Sequence, residues 1–151
     1  MNALPVKAPV YEWAKLMDFS NTGNALPYCV SGWGKPEEGL IWTDGLNARL
    51  EMLVKPPVSD VCLVLSCYPF LGNGKLPYQE LTVFVNFLRV GFAVVAEPSE
   101  IEISIPKWVF KEPLIQIDFF VPRAATPMSL GISPDLRQLG LAVNRMIMMQ
   151  I

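Results

Sequence analysis

An all-β fold is what this sequence predicts: an antiparallel β-sandwich, jelly-roll-like, of about nine or ten strands. Three observations carry that expectation. Apolar residues recur with a period of two, the signature of strands with one buried face. Fourteen prolines and ten glycines cut the 151 residues into short pieces, and none holds a long capped pattern of period 3.6. The pieces recur roughly every ten residues, the spacing of a sandwich or barrel. At this length one domain with a single core is expected.

The elements are taken in chain order. "MNALPVKAPV" carries two prolines and no continuous apolar run, and reads as a loose arm over 1–10, leaving 11–151 as the domain. "SGWGKPEEGLIWTDG", Ser31 to Gly45, is loop-like, with four glycines and a proline. In "ARLEMLVK" Leu50, Met52 and Val54 alternate with Arg49, Glu51 and Lys55. After the break "KPPVSD", the run from Val61 to Leu65 is apolar on both faces, which suits a central strand covered on both sides or one whose outer face meets a partner. "YPFLGNGKLPYQ" is a long loop with an Asn-Gly turn signal. "ELTVFVN" places Leu81, Val83 and Val85 inward, and "LTVFVNFLRVGF" reads as a strand, an Asn turn and a returning strand. In "EIEISIP" Ile101, Ile103 and Ile105 share a face, and "IPKWVFKEP" fits one short helical turn around Trp108. In "LIQIDFFV" Ile115, Ile117, Phe119 and Val121 face one way and Gln116, Asp118 and Phe120 the other. "SPDLRQLG" reads as a one-turn helix opened by Asp135 and closed by Gly140. In the final "LGLAVNRMIMMQI", strict alternation puts Leu141, Val143, Ile147 and Met149 on one face and Met146 and Met148 on the other, beside Asn144.

Composition narrows the function. Hydrophobic residues make up 52% and charged residues 17%. That apolar surplus predicts contact with a partner, most simply a twofold homo-oligomer through the Val61–Leu65 face or the methionine-rich end. A net charge of −2 with no basic stripe argues against nucleic acid. No stretch of about 18 apolar residues exists, so no membrane span is expected. Cys29, Cys62 and Cys67 lack metal-type spacing and read as reduced thiols; with no leader apparent, the expected location is cytoplasmic. The chain has no histidine, which excludes Ser-His-Asp and Cys-His catalysis. No catalytic residue, metal site or cofactor is expected.

Two loops carry chemistry. Sugars are bound by an aromatic face against C–H groups and by planar polar side chains against hydroxyls. Trp33 and Trp42 supply the first device; Glu37, Glu38 and Asp44 supply the second, since carboxylates accept charge-assisted hydrogen bonds. Asp135 and Arg137 add a carboxylate and a guanidinium fork. These seven residues are the candidate ligand-binding set. A packing role fits the same residues: the indoles close the end of the core, Glu37 pairs with Arg137, and Asp135 caps a turn. A glycosidase carboxylate pair among Glu37, Glu38, Asp44 and Asp135 has no spacing to require it, nor has a calcium loop.

Two motifs carry a resemblance. The first joins Gly32-Trp33, Pro36-Glu37, Trp42-Thr43 and Gly45. The second joins Leu130-Gly131, Ser133, Asp135, Arg137 and Leu139-Gly140-Leu141, with "LTVFVNFLRVGF" between them. In this order they resemble a small all-β domain of unknown function appended to, or associated with, bacterial glycosyltransferases of capsule, lipopolysaccharide and exopolysaccharide synthesis. The resemblance runs from Leu16 to Met148. The chain departs from it at Asn86-Phe87, where that family has Asn-Gly, and at Gly39 and Leu40, where it often has a tryptophan and a glycine. The resemblance implies a non-catalytic carbohydrate-binding or accessory module in bacterial surface polysaccharide synthesis. The alternative is a structural domain that docks to a glycosyltransferase or to its own copies. A glycan binder should show Trp33 or Trp42 in a groove near acids; an interaction domain should bury both rings and expose an apolar sheet face.

Overall fold

The computed structural model describes residues 7–151, so the first six residues of the expected arm lie outside it. Of the rest of that arm, Pro9 and Val10 run beside the chain at Leu53, whose N–H donates to the Pro9 carbonyl at 2.9 Å.

Ten strands are present among the described residues: β1 (Met17–Asp18), β2 (Cys29–Ser31), β3 (Ile41–Asp44), β4 (Asn47–Leu53), β5 (Val61–Pro69), β6 (Gln79–Val85), β7 (Leu88–Val95), β8 (Ser99–Ile105), β9 (Leu114–Phe120) and β10 (Leu139–Gln150). All their pairings are antiparallel. One sheet has the order β1-β10-β5-β8, with β3 also paired to β10; the other has the order β2-β4-β9-β6-β7. The fold is the expected jelly-roll-like sandwich.

The period of two explains the packing. Leu50, Met52, Leu81, Val83, Ile115, Ile117 and Phe119 from one sheet meet Leu63, Leu65, Ile103 and Ile105 from the other, nearly all without solvent exposure. Each such side chain contributes about 1.5–3 kcal/mol by leaving water. The two-sided run in β5 is central, between β10 and β8. Its outward residues Cys62 and Val64 are half-buried on the outer face of the sheet. The expected turn around Trp108 is a single 3-10 turn at Lys107–Val109. Cys29 and Cys67 are free thiols whose pKa burial pushes up to about 12, so they pack as inert apolar groups.

Two expectations are corrected. In β10 the alternation is broken by a β-bulge between Val143 and Arg145. Leu141 and Val143 face the core as expected, but the extra residue Asn144 resets the phase. Met146 and Met148 therefore point inward with no exposure, while Ile147 and Met149 point outward. Met148 is core and no part of an interface. Second, "SPDLRQLG" is extended and forms no helical turn. Asp135 Oδ1 accepts the Arg137 N–H at 2.9 Å, the bond a cap makes, but the backbone beyond it pairs across to Asp44 and Gly45 instead of turning. Gln138 is drawn into strand-like pairing, donating its N–H to Asp44 Oδ1 and accepting from Gly45 N–H.

Candidate functional site

The stretch from Ser31 to Gly45 is a hairpin at the edge of the sandwich, running from β2 of the second sheet to β3 of the first. Trp33 pairs with Thr43 and Glu37 with Leu40, and the tip is the tight turn Glu38–Gly39. Gly32 makes the entry possible: its φ is +79°, and an added Cβ would sit 1.9 Å from the Asn47 carbonyl oxygen.

This pairing sends the two indoles to opposite faces. Trp33 lies opposite Thr43 and faces the core. Its ring packs 5.5 Å from Phe19 and 6.0 Å from Phe119, and its indole N–H donates to the Arg49 carbonyl at 2.9 Å. Trp33 packs into the core and leaves one edge at the surface, beside Lys35, Asp44 and Arg137. Trp42 alternates with buried Ile41 and Thr43 and stands on the outer face of the first sheet. There Trp42, Ala142 and Tyr68 form one cross-strand row. Ala142 is too small to separate its neighbours, so the Trp42 and Tyr68 rings meet edge-on at 5.6 Å, with Phe70 at 6.2 Å from Trp42. All three rings are half-buried.

The charged candidates gather beside these rings. Arg137 reaches Glu37 at 3.3 Å and grips Asp135 through Nη2 at 2.8 Å and Nε at 3.1 Å. The Arg137 side chain and its backbone N–H hold the Asp135 carboxyl below its ordinary value. Burial pushes the Tyr68 phenol up, and the neighbouring Glu37 carboxylate adds to that. Asp44 is committed to Gln138 N–H at 2.9 Å and closes the hairpin. Glu38 is exposed at the tip. The structure thus brings Glu37, Asp135 and Arg137 together near Trp42, and turns Trp33 away from that cluster's aromatic side.

Two depressions adjoin the cluster. One of about 700 Å3 is bordered by Trp33, Lys35, Asp44 and Arg137. The other, about 430 Å3, is lined by Asp18, Gly39, Ser66, Asn144 and Arg145, next to the Trp42 row on the same sheet face. Here the Asn144 amide donates to the Gly39 carbonyl at 2.8 Å and ties the hairpin tip to β10. Tyr68, Phe70, Ser66, Asn144 and Arg145 were missing from the sequence-derived set. Tyr68 and Ser66 sit within an apolar run whose alternation marks them as outward; Asn144 and Arg145 lie at the bulge, where alternation misleads.

No family model and no curated protein matches the chain. Among solved structures it is similar to a carbohydrate-binding module, CBM36, in complex with calcium and xylotriose, at a TM-score of 0.51 and 8% identity over 89% of this chain and 98% of that one. It is also similar to part of a family GH115 4-O-methyl-alpha-glucuronidase with specificity for decorated arabinogalactans, at a TM-score of 0.52 and 9% identity. That match covers 99% of this chain and 19% of the glucuronidase. The CBM36-1 domain of a multidomain xylanase from the hindgut metagenome of Trinervitermes trinervoides matches at a TM-score of 0.46 and 12% identity, over 87% of this chain and 93% of that domain. At these identities the likeness is one of fold.

Proposed function

We propose that this chain is a non-catalytic carbohydrate-binding module, and that the outer face of the first sheet around Trp42 holds the sugar. The observation that carries the reading is the row Trp42–Ala142–Tyr68, with Phe70 behind it and the polar depression of Ser66, Asn144 and Arg145 alongside. Aromatic rings offer a face to sugar C–H groups; the amide, hydroxyl and guanidinium beside them match hydroxyls as donors and acceptors. The fold shared with CBM36 and the module character of that neighbour support it. Asp135 is held ionised by Arg137, which argues against its serving as a glycosidase general acid. The resemblance carried by the two loop motifs supports a setting in bacterial surface polysaccharide synthesis, beside a glycosyltransferase.

A glycan array probed with the purified chain tests this. Binding is expected, and Trp42→Ala and Arg145→Ala should weaken it by about tenfold or more while thermal unfolding stays cooperative. An array without binding, or binding untouched by both variants, overturns the reading.

A second reading, an interaction domain, is favoured by one feature. Edge strand β7 exposes Leu88, Phe92 and Val94 at 44%, 50% and 56%. An unpaired apolar edge of this kind pairs readily with another chain.

A further inference from the structure

We infer a second sugar-binding groove on the opposite face of the sandwich, between the Asn86-Phe87 turn and the Trp108 turn. The inference rests on the carbohydrate reading above, but on none of the same residues. The groove encloses about 460 Å3, within the range of small-ligand sites, and Phe87, Trp108, Lys111, Glu112 and Gln116 line it.

Three observations point to a ligand. The first is aromatic exposure. Trp108 is 58% exposed and Phe87 70% exposed, whereas Trp33 and Trp42 are half-buried. Trp108 is carried on a 3-10 turn anchored by buried Val109 and Phe110, which follow it, and by the Lys107 N–H bond to Asp60 at 2.9 Å. Its ring is displayed at little ordering cost.

The second is a strained backbone. Asn86 and Phe87 form the two-residue β6–β7 turn with φ of 49° and 66°. Such a turn favours Asn-Gly, and phenylalanine is disfavoured at its second position. Asn86 explains itself: it exchanges hydrogen bonds with the Gln116 backbone at 2.9 Å in both directions. Phe87 is 70% exposed, with the Arg49 guanidinium 5.5 Å from its ring. A strained residue kept with its apolar side chain in water marks a functional position.

The third is a polar rim. Lys111 and Glu112 line the groove beside the two rings, an exposed donor and an exposed acceptor. A pyranose brings a C–H face for Phe87 and Trp108 and hydroxyls for Lys111 and Glu112.

Trp42 stands on the outer face of one sheet and Gln116 on the outer face of the other. With stacked sheets about 10 Å apart, the two sites would engage separate sugar chains. The module would then bridge two strands of polysaccharide.

Calorimetric titration of the full chain tests this, with cellotriose, xylotriose, maltotriose, chitotriose and any trisaccharide the array identifies as probes. Two bound trisaccharides per chain are expected in the wild type, and one in Trp42→Ala. In Trp108→Ala and Phe87→Gly the second event should weaken by about tenfold or more. Phe87→Gly should at the same time leave the melting temperature unchanged or raise it, because it relieves the turn. Binding lost with Trp42→Ala alone, and unaffected by Trp108→Ala and Phe87→Gly, overturns the second site and leaves the first intact. No trisaccharide bound by the wild type overturns both. If instead the two groove variants change only the molar mass in light scattering, the groove is a contact between copies and the inference fails.

Discussion

Arg137 and Arg49 each hold a carboxylate, and their surroundings set different energies. The Arg137–Glu37 pair is open to water, with side-chain exposures of 39% and 46%. Arg137→Ala should therefore cost under ~1 kcal/mol in chemical denaturation. Arg49 pairs at 2.9 Å with Asp118, whose side chain is only 6% exposed and which also accepts from Asn47 at 2.8 Å. Arg49→Ala strands that carboxylate and should cost more, toward the ~3–5 kcal/mol of an uncompensated buried charge. Equal costs would contradict the burial difference. Asp135 adds a pH dependence. Its folded pKa lies below the ordinary 3.8, so its contribution is fully present above that value and fades as pH falls through the lowered pKa. Melting temperatures should fall less steeply with acid in Asp135→Asn than in the wild type below pH 3.8; parallel curves would show that the Arg137 contact carries no such linkage. Residue chemistry was legible in the sequence where types complement one another, as the Glu37–Arg137 contact shows. The division of labour between Trp33 and Trp42 was not, because it depends on which strand each faces, and the pairing of Trp33 with Thr43 is a long-range fact.

At the scale of the element, alternation was a reliable guide wherever the ladder is regular. The inward faces of β4, β6, β8 and β9 follow it residue by residue. It failed in β10, where a residue without a partner is invisible to a period of two. The helical turn read from Asp135 and Gly140 failed for another reason: the cap bond from the Arg137 N–H forms, but Gln138 is held by Asp44 and Gly45, a long-range pairing. The β10 correction has a direct check. Met148→Glu buries an unpaired charge and should abolish cooperative unfolding, whereas Met149→Glu, at a position 36% exposed, should stay within ~0.5 kcal/mol of the wild type. If the two variants behave alike in thermal denaturation, the bulge is misplaced.

Across the whole molecule, the two apolar surfaces make different demands. The first sheet's outer row is interrupted by polar and charged side chains, as a sugar site needs. The β7 edge exposes larger apolar side chains, Leu88, Phe92 and Val94, with Arg89 as its one charge, and it suits a second copy of the chain. If β7 is the contact, light scattering should show mass rising with concentration, and Val94→Lys should return it to that of a monomer. A constant monomer mass, or a mass indifferent to Val94→Lys, removes β7 from consideration. The high apolar content foreshadowed such surfaces, but composition carries no address. Phe87, Phe92 and Trp108 look in the sequence like any other large apolar residues, and only the sheet order sets them outside.

The bulge in β10 has a consequence for how this chain tolerates changes of length. Val143 faces Cys67 and Arg145 faces Ser66, which are neighbours on β5. Excising Asn144 would therefore join two residues whose partners are already adjacent, and every side chain beyond it would keep its face. Excising Ile147 instead would carry Met148 into solvent and Met149 into the interior, as a shifted reading frame garbles the message downstream. The strand holds one position where a codon can be lost and the core survive. What would vanish is the bond from Asn144 to Gly39 and the one from the Phe19 N–H to the Asn144 carbonyl, which moor the Trp42 hairpin and the chain near β1. The residue that the core can spare is the one that holds the site in place.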